Sequence, residues 1–131
     1  MKSIQRMMGV AALIMIFTYS TQATPDDSNA VKKAKDAVEG AAPYDWKTMA
    51  QSAKVCFRKQ ENVEQALEWI NKSIEINKDP FNLEIKADYY RDKGEKDEAL
   101  KLYSEALKVG KEQNFWFDGT DIQAKIWKLR E

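Results

Sequence analysis

The chain has 131 residues, in which 21 Lys and Arg balance 21 Asp and Glu, with no His and one Cys. Without His there is no Ser-His-Asp or Cys-His nucleophile and no His-ligated metal, and a single Cys makes neither an intramolecular disulfide nor a CxxC site. Balanced charge gives no electrostatic case for nucleic acid, and the five glycines form no phosphate-cradling loop.

The first segment reads as a secretory signal peptide. Lys2 and Arg6 precede an apolar run over residues 7–17, and Thr21-Gln22-Ala23 supplies small residues at a cleavage point after Ala23. The run is shorter than the ~20 residues a bilayer-spanning helix needs. The expected mature protein is therefore residues 24–131, periplasmic or secreted, without a stable membrane span. Cleavage removes two bases and no acid, so that form carries two more acids than bases.

Residues 24–44 read as a flexible segment with a short helix over 29–39. Its weak stripe is Ala30, Ala34, Ala37 and Val38, and Gly40 follows as a stop. Residues 45–131 read as one helical domain. Asp45 is the expected N-cap of a helix to about Lys59, with Met49, Ala53 and Cys56 inward, so Cys56 is expected to be buried. Asn62-Val63-Glu64-Gln65 has the form of a capping box. It opens a helix to about Asn77 with Ala66, Ile70, Ser73 and Ile74 inward. An inward Ser73 removes Asn71-Lys72-Ser73 from consideration as a glycosylation site.

Asp79-Pro80 gives a cap followed by Pro at the first helical position, where its missing N–H costs nothing. In the helix that follows, Leu83, Ala87 and Tyr90 recur at intervals of four and three. Gly94 interrupts, and Ala99, Tyr103 and Ala106 repeat the spacing on a helix from about Lys96 to Lys111. Thr120-Asp121-Ile122-Gln123 reads as another capping box, starting a last helix with Ile122, Ile126 and Leu129 on one stripe. The fold class is all-α, six helices.

The pattern over residues 80–111 resembles the tetratricopeptide repeat, a helix–turn–helix unit of about 34 residues whose stacked copies present a groove to partner proteins. Leu83, Ala87, Tyr90, Gly94, Ala99, Tyr103 and Ala106 fill its large, small, aromatic and turn positions. Lys86 and Lys111 depart from it, where an aliphatic residue and a closing Pro are usual. Residues 46–78 resemble a degenerate copy, with Met49, Ala53, Cys56, Ala66, Ile70 and Ser73. That copy lacks the turn Gly and has one extra residue at 59–62. The expected architecture is a short solenoid with a C-terminal capping helix. Asp45-Trp46-Lys47 and the run over residues 65–74 are also similar to the helical tail of certain secreted bacterial proteins of unknown function.

The resemblance implies a non-catalytic module that binds a protein or extended peptide of the cell envelope, with no cofactor. The family's ligand-facing positions fall on Phe81, Glu84, Asp88, Arg91 and Asp92 of the second repeat. In the degenerate one they fall on Lys47, Ala50, Lys54, Phe57 and Arg58. Lys54 and Arg58 pairing with Glu84 and Asp88 is an equal alternative to ligand binding, and such surface pairs contribute little. Phe115-Trp116-Phe117 cannot all face inward, which makes Trp116 a second candidate anchor.

Two rival functions remain open. An open solenoid end invites self-association, as a homodimer, because two repeats are fewer than the about three that bury a continuous core. A carboxylate-dependent hydrolase would need two acids converging in a closed pocket. Glu84, Asp88 and Asp92, at i, i+4 and i+8, read instead as a charge-balanced face. Asp118-Gly119-Thr120-Asp121 lacks the alternating acids of a calcium loop. Residues 24–43 filling the groove would make that segment autoinhibitory.

Overall fold

A computed structural model describes residues 27–131 and folds them into six α-helices, with no strand among them. They are α1 (Asn29–Gly40), α2 (Trp46–Lys59), α3 (Val63–Ile76), α4 (Pro80–Asp92), α5 (Lys96–Gln113) and α6 (Thr120–Arg130). The expected signal peptide and its cleavage after Ala23 lie outside the described residues. Helices α2 and α3 form one antiparallel hairpin and α4 and α5 a second, with α4 packed on both α2 and α3. Helix α1 docks on α2, and α6 covers α5 at the other end. The result is an all-α helix-turn-helix solenoid closed by a C-terminal helix.

The two hairpins start and turn alike. Asp45 and Asp79 cap α2 and α4 from positions one repeat of about 34 residues apart. Asp45 accepts from the Thr48 amide at 3.1 Å and from the Thr48 hydroxyl at 2.7 Å. Those two bonds, the amide's first, hold its carboxyl below the ordinary carboxylate range. Asp79 and Asn82 form a reciprocal capping box that spans Pro80 at the first helical position.

At the first turn, Gln60 N donates to Phe57 O and Glu61 N to Cys56 O; at the second, Gly94 N donates to Arg91 O and Glu95 N to Tyr90 O. The residue that turns left-handed is Gly94 in the second, at φ 78°, and Gln60 in the first, at φ 56°. Asn62, the extra residue of the first connection, is also left-handed, at φ 54°. It therefore cannot serve as the expected capping box. Its side chain donates to Gln65 Oε1 at 3.0 Å, and it caps no backbone amide.

Two core clusters meet at α4. The first joins Val31, Ala34, Ala50, Ala53, Cys56, Ala66, Ile70 and Ile85. The second joins Leu83, Ala87, Ala99, Leu102, Tyr103, Ala106 and Ile122. Ile85 thus serves the first hairpin while Leu83 and Ala87 serve the second, and Ile74 packs against both clusters. Small residues at 53, 66, 87, 99 and 106 let helix backbones approach closely, so the stack needs few large side chains.

A buried polar knot locks the junction between hairpins. Ser73 donates to Trp46 O at 2.7 Å, and Asn82 Nδ2 donates to Ser73 Oγ at 3.0 Å and Asn77 O at 2.8 Å. Asn82 Oδ1 accepts from Asp79 N at 3.1 Å. Neither Ser73 nor Asn82 is exposed to solvent, and every polar atom of the knot has a partner.

Three local expectations are corrected. Helix α1 docks through Val31 and Ala34, with Ala37 exposed, because the face toward α2 is rotated from the Ala-rich stripe. The helix is also pinned, since Ser28 N donates to Glu61 Oε2 at 2.7 Å. Gly40 is the last helical residue, with Ala41 as the cap. Thr120 is the first residue of α6 rather than its N-cap. Asp118 takes the capping part from outside, accepting from the Thr120 hydroxyl at 2.6 Å and its amide at 3.0 Å.

Candidate functional site

The positions expected to face a ligand converge in part. Between α2 and α4 lies a hollow of about 160 Å³ lined by Lys54, Phe57, Arg58, Ile85, Asp88, Tyr89, Arg91 and Asp92. A second hollow, about 290 Å³, continues from it over the α2–α3 turn and shares Phe57, Tyr89 and Asp92. Helical spacing puts Lys54, Phe57 and Arg58 on one face of α2, and the same register one repeat later puts Asp88, Arg91 and Asp92 on α4. The floor is aromatic: the rings of Phe57 and Tyr89 lie 4.6 Å apart, tilted by 33°. Lys93 stands over Tyr89 at 5.4 Å. Its hydrogen bond to the Tyr89 hydroxyl raises the ammonium pKa.

The carboxylates of the groove are already occupied, and not by α2. Lys125 of α6 reaches across to Glu84 Oε1 at 2.7 Å and to both oxygens of Asp88 at 2.8 Å. Asp88 Oδ1 also accepts from the Tyr103 hydroxyl at 2.5 Å and from Arg91 Nη1 at 2.9 Å. Arg91 is held in turn by Asp92. Burial works against the charge on Lys125, but its hydrogen bonds to Asp88 and Glu84 outweigh it and the ammonium pKa is raised. Burial, reinforced by the bond to Asp88, pushes the Tyr103 phenol far above its ordinary value. The same balance, with Asp92 and Asp88 as partners, raises Arg91.

This corrects the pairing of Lys54 and Arg58 with Glu84 and Asp88. Lys54 lies 6.0 Å from the Phe81 ring centre instead. Lys54 and Arg58 are exposed and have no carboxylate partner among the described residues. Ala50, placed by the repeat register toward a ligand, is fully buried in the first core cluster, and Lys47 is exposed beside Trp46. Helix α1 rests on α2 and borders another hollow with Gln51, Ser52 and Val55, which meets the cleft only at Arg58. Residues 29–40 therefore do not fill the groove.

Phe81 and Glu84 face a different hollow, about 380 Å³, shared with Asp79, Phe117, Asp118 and Asp121. Phe117 is the inward member of its aromatic triplet, packed so tightly on Gly110 that a Cβ there would sit 2.4 Å from the ring. Phe115 and Trp116 point outward, 83 % and 84 % exposed, stacked edge to face at 5.0 Å. Trp116 lines none of these hollows. Trp127 on α6, 69 % exposed, is a further solvent-facing aromatic.

Lys125, Tyr89 and Lys93 are the site residues that motif reading missed. The repeat register ends with the second hairpin, so it assigns nothing on α6. The Ile122, Ile126 and Leu129 stripe does repeat the spacing of Leu83, Ala87 and Tyr90. It marks α6 as a third helix of the same kind, packed on α5. No cluster of ligating side chains suited to a metal occurs among the described residues. No helix among them is long and apolar enough to cross a membrane.

These features define a short helix-turn-helix solenoid with a groove floored by Phe57 and Tyr89 and rimmed by charged side chains of both signs. Compared with known protein families, curated proteins and solved structures, the chain matches none.

Proposed function

We propose that this chain is a small tetratricopeptide-repeat module, exported to the periplasm or secreted, that binds a protein or extended peptide without catalysis. The observation that carries the reading is the convergence of Lys54, Arg58, Asp88, Arg91 and Asp92 on one cleft floored by Phe57 and Tyr89. Aromatic floors supply binding energy, and charged rims set orientation and partner choice. The equal spacing of the Asp caps, the shared turn geometry and the small residues at matching positions support the repeat assignment. Glu84 and Asp88 share one ammonium, Lys125, which pairs their charges and favours a structural or recognition role for them over acid–base chemistry.

The test is affinity capture from the native envelope fraction, with wild type beside a Lys54→Glu, Arg58→Glu variant shown to fold by circular dichroism. The captured protein's segment is then synthesised and titrated. A partner held by wild type and lost by the variant supports the cleft. A partner held equally by both refutes it.

A further inference from the structure

The cleft presents an apolar floor with cations at its edge. Lys54 and Arg58 have no carboxylate partner among the described residues, and Lys93 adds a third cation over Tyr89. The groove's own acids are withdrawn by Lys125 and Arg91. What would complete it is an exposed aromatic group carried on an acidic segment. The chain itself displays such a group. Phe115 and Trp116 protrude from the α5–α6 connection and already stack on each other, so little freedom is lost on docking. Beside them Glu112 pairs with Lys108, which leaves Asp118 and Asp121 against Lys111, and neither Asp118 nor Asp121 has a cation partner among the described residues.

We propose that the Phe115–Trp116 tip of one molecule docks into the Phe57/Tyr89 cleft of a second copy, with Lys54 and Arg58 facing Asp118 and Asp121. This names the partner of the proposed cleft and rests on that reading. Tip and cleft are different patches, so the contact is heterologous: each molecule offers one of each. Desolvated Trp side chains are the commonest interface anchors, and the charged rim makes the association weaken with salt.

The experiment is sedimentation velocity on the protein purified as its producing cell processes it, over a concentration series at low and high salt. Trp116→Ala and Lys54→Glu, Arg58→Glu are run alone and mixed. All of the altered side chains are exposed, and circular dichroism checks that each variant folds. Wild type should grow in mass with concentration and shrink with salt. Each variant alone should associate at least about tenfold more weakly. An equimolar mixture should recover a heterodimer, because one variant keeps the cleft and the other the tip. A wild type that stays monomeric throughout, variants that associate as well as wild type, or a mixture that stays monomeric would each overturn the proposal. A monomeric wild type leaves the capture test of the cleft standing, so the two failures are distinguishable.

Discussion

The two hairpins carry opposite charges at equivalent places, and those charges do not meet. Lys54 and Arg58 on α2 occupy the positions that Asp88 and Asp92 hold on α4, yet Asp88 turns to α6 and leaves α2 alone. A charged groove position is neutralised when the helix stacked after it supplies a counter-ion, and Lys125 is that counter-ion. On the other side, α1 docks on α2 through Val31 and Ala34 and supplies no carboxylate to Lys54 or Arg58. The groove acids Glu84 and Asp88 of the second hairpin are therefore paired from α6. In the first, Lys54 and Arg58 have no carboxylate partner among the described residues.

The helix starts show the widest gap between the hairpins. Thr48 and Asn82 stand at the same place after their Asp caps, but Thr48 binds only its own cap while Asn82 ties the backbone of Asn77 and Asp79 to the Ser73 hydroxyl. Asn82→Ala should cost about 2–3 kcal/mol by leaving buried groups unpaired, and Thr48→Ala at most about 1 kcal/mol. Urea unfolding of both variants checks this. Equal losses would mean that the knot at Asn82 contributes nothing beyond an ordinary cap.

Charge is the next contrast. Lys125→Ala leaves Glu84 without a cation and Asp88 with Arg91 alone, both acids about three-quarters covered, and should destabilise by about 1–2 kcal/mol. Lys54→Ala removes an exposed cation and should change stability by less than about 0.5 kcal/mol. Thermal melts of the two side by side would erase the contrast if the shifts came out alike.

Alkaline pH should strike the second hairpin first. The pKa values of Tyr103 and Lys125 are raised in the folded state, so both stabilise fully below their ordinary values of 10.0 and 10.5. That stability is lost as pH rises beyond them, by about 1 kcal/mol near pH 11 for the buried phenol. Melting temperature measured across that range should fall less steeply for Tyr103→Phe than for wild type. Matching slopes would place the alkaline sensitivity elsewhere.

The turns give the smallest effect and the opposite sign. Gln60 adopts the left-handed conformation that Gly94 adopts at the matching position, and a side chain there costs more than glycine. Gln60→Gly should stabilise by about 0.5–1 kcal/mol, and Gly94→Ala should destabilise by about 1 kcal/mol. A loss of stability in Gln60→Gly would show that the Gln60 side chain makes a contact outweighing its strain.

Much of the fold was legible because it is local. Asp45, Asp79-Pro80 and Gly94 act within one helical turn, and the Leu83–Ala106 spacing reports a face that each helix must bury by itself. The Ile122, Ile126 and Leu129 stripe held for the same reason. Capping by Asn62 and Thr120 was misread because a cap depends on the backbone geometry of the preceding connection. At Asn62 that connection is a left-handed turn, which composition does not disclose.

What the sequence determined alone was the all-α class, the helix order, the two Asp caps and the set of small residues that lets the hairpins nest. These follow from propensity and periodicity over short stretches. Only the tertiary structure decided that Val31 rather than Ala30 faces α2, that Ala50 is core, and that Phe117 turns inward while Trp116 does not. It alone brought Lys125 to Asp88, partners far apart in the chain whose pairing depends on how α6 packs on α5. Contacts between helices are set by the packing of whole faces, and no short stretch of residues carries that information.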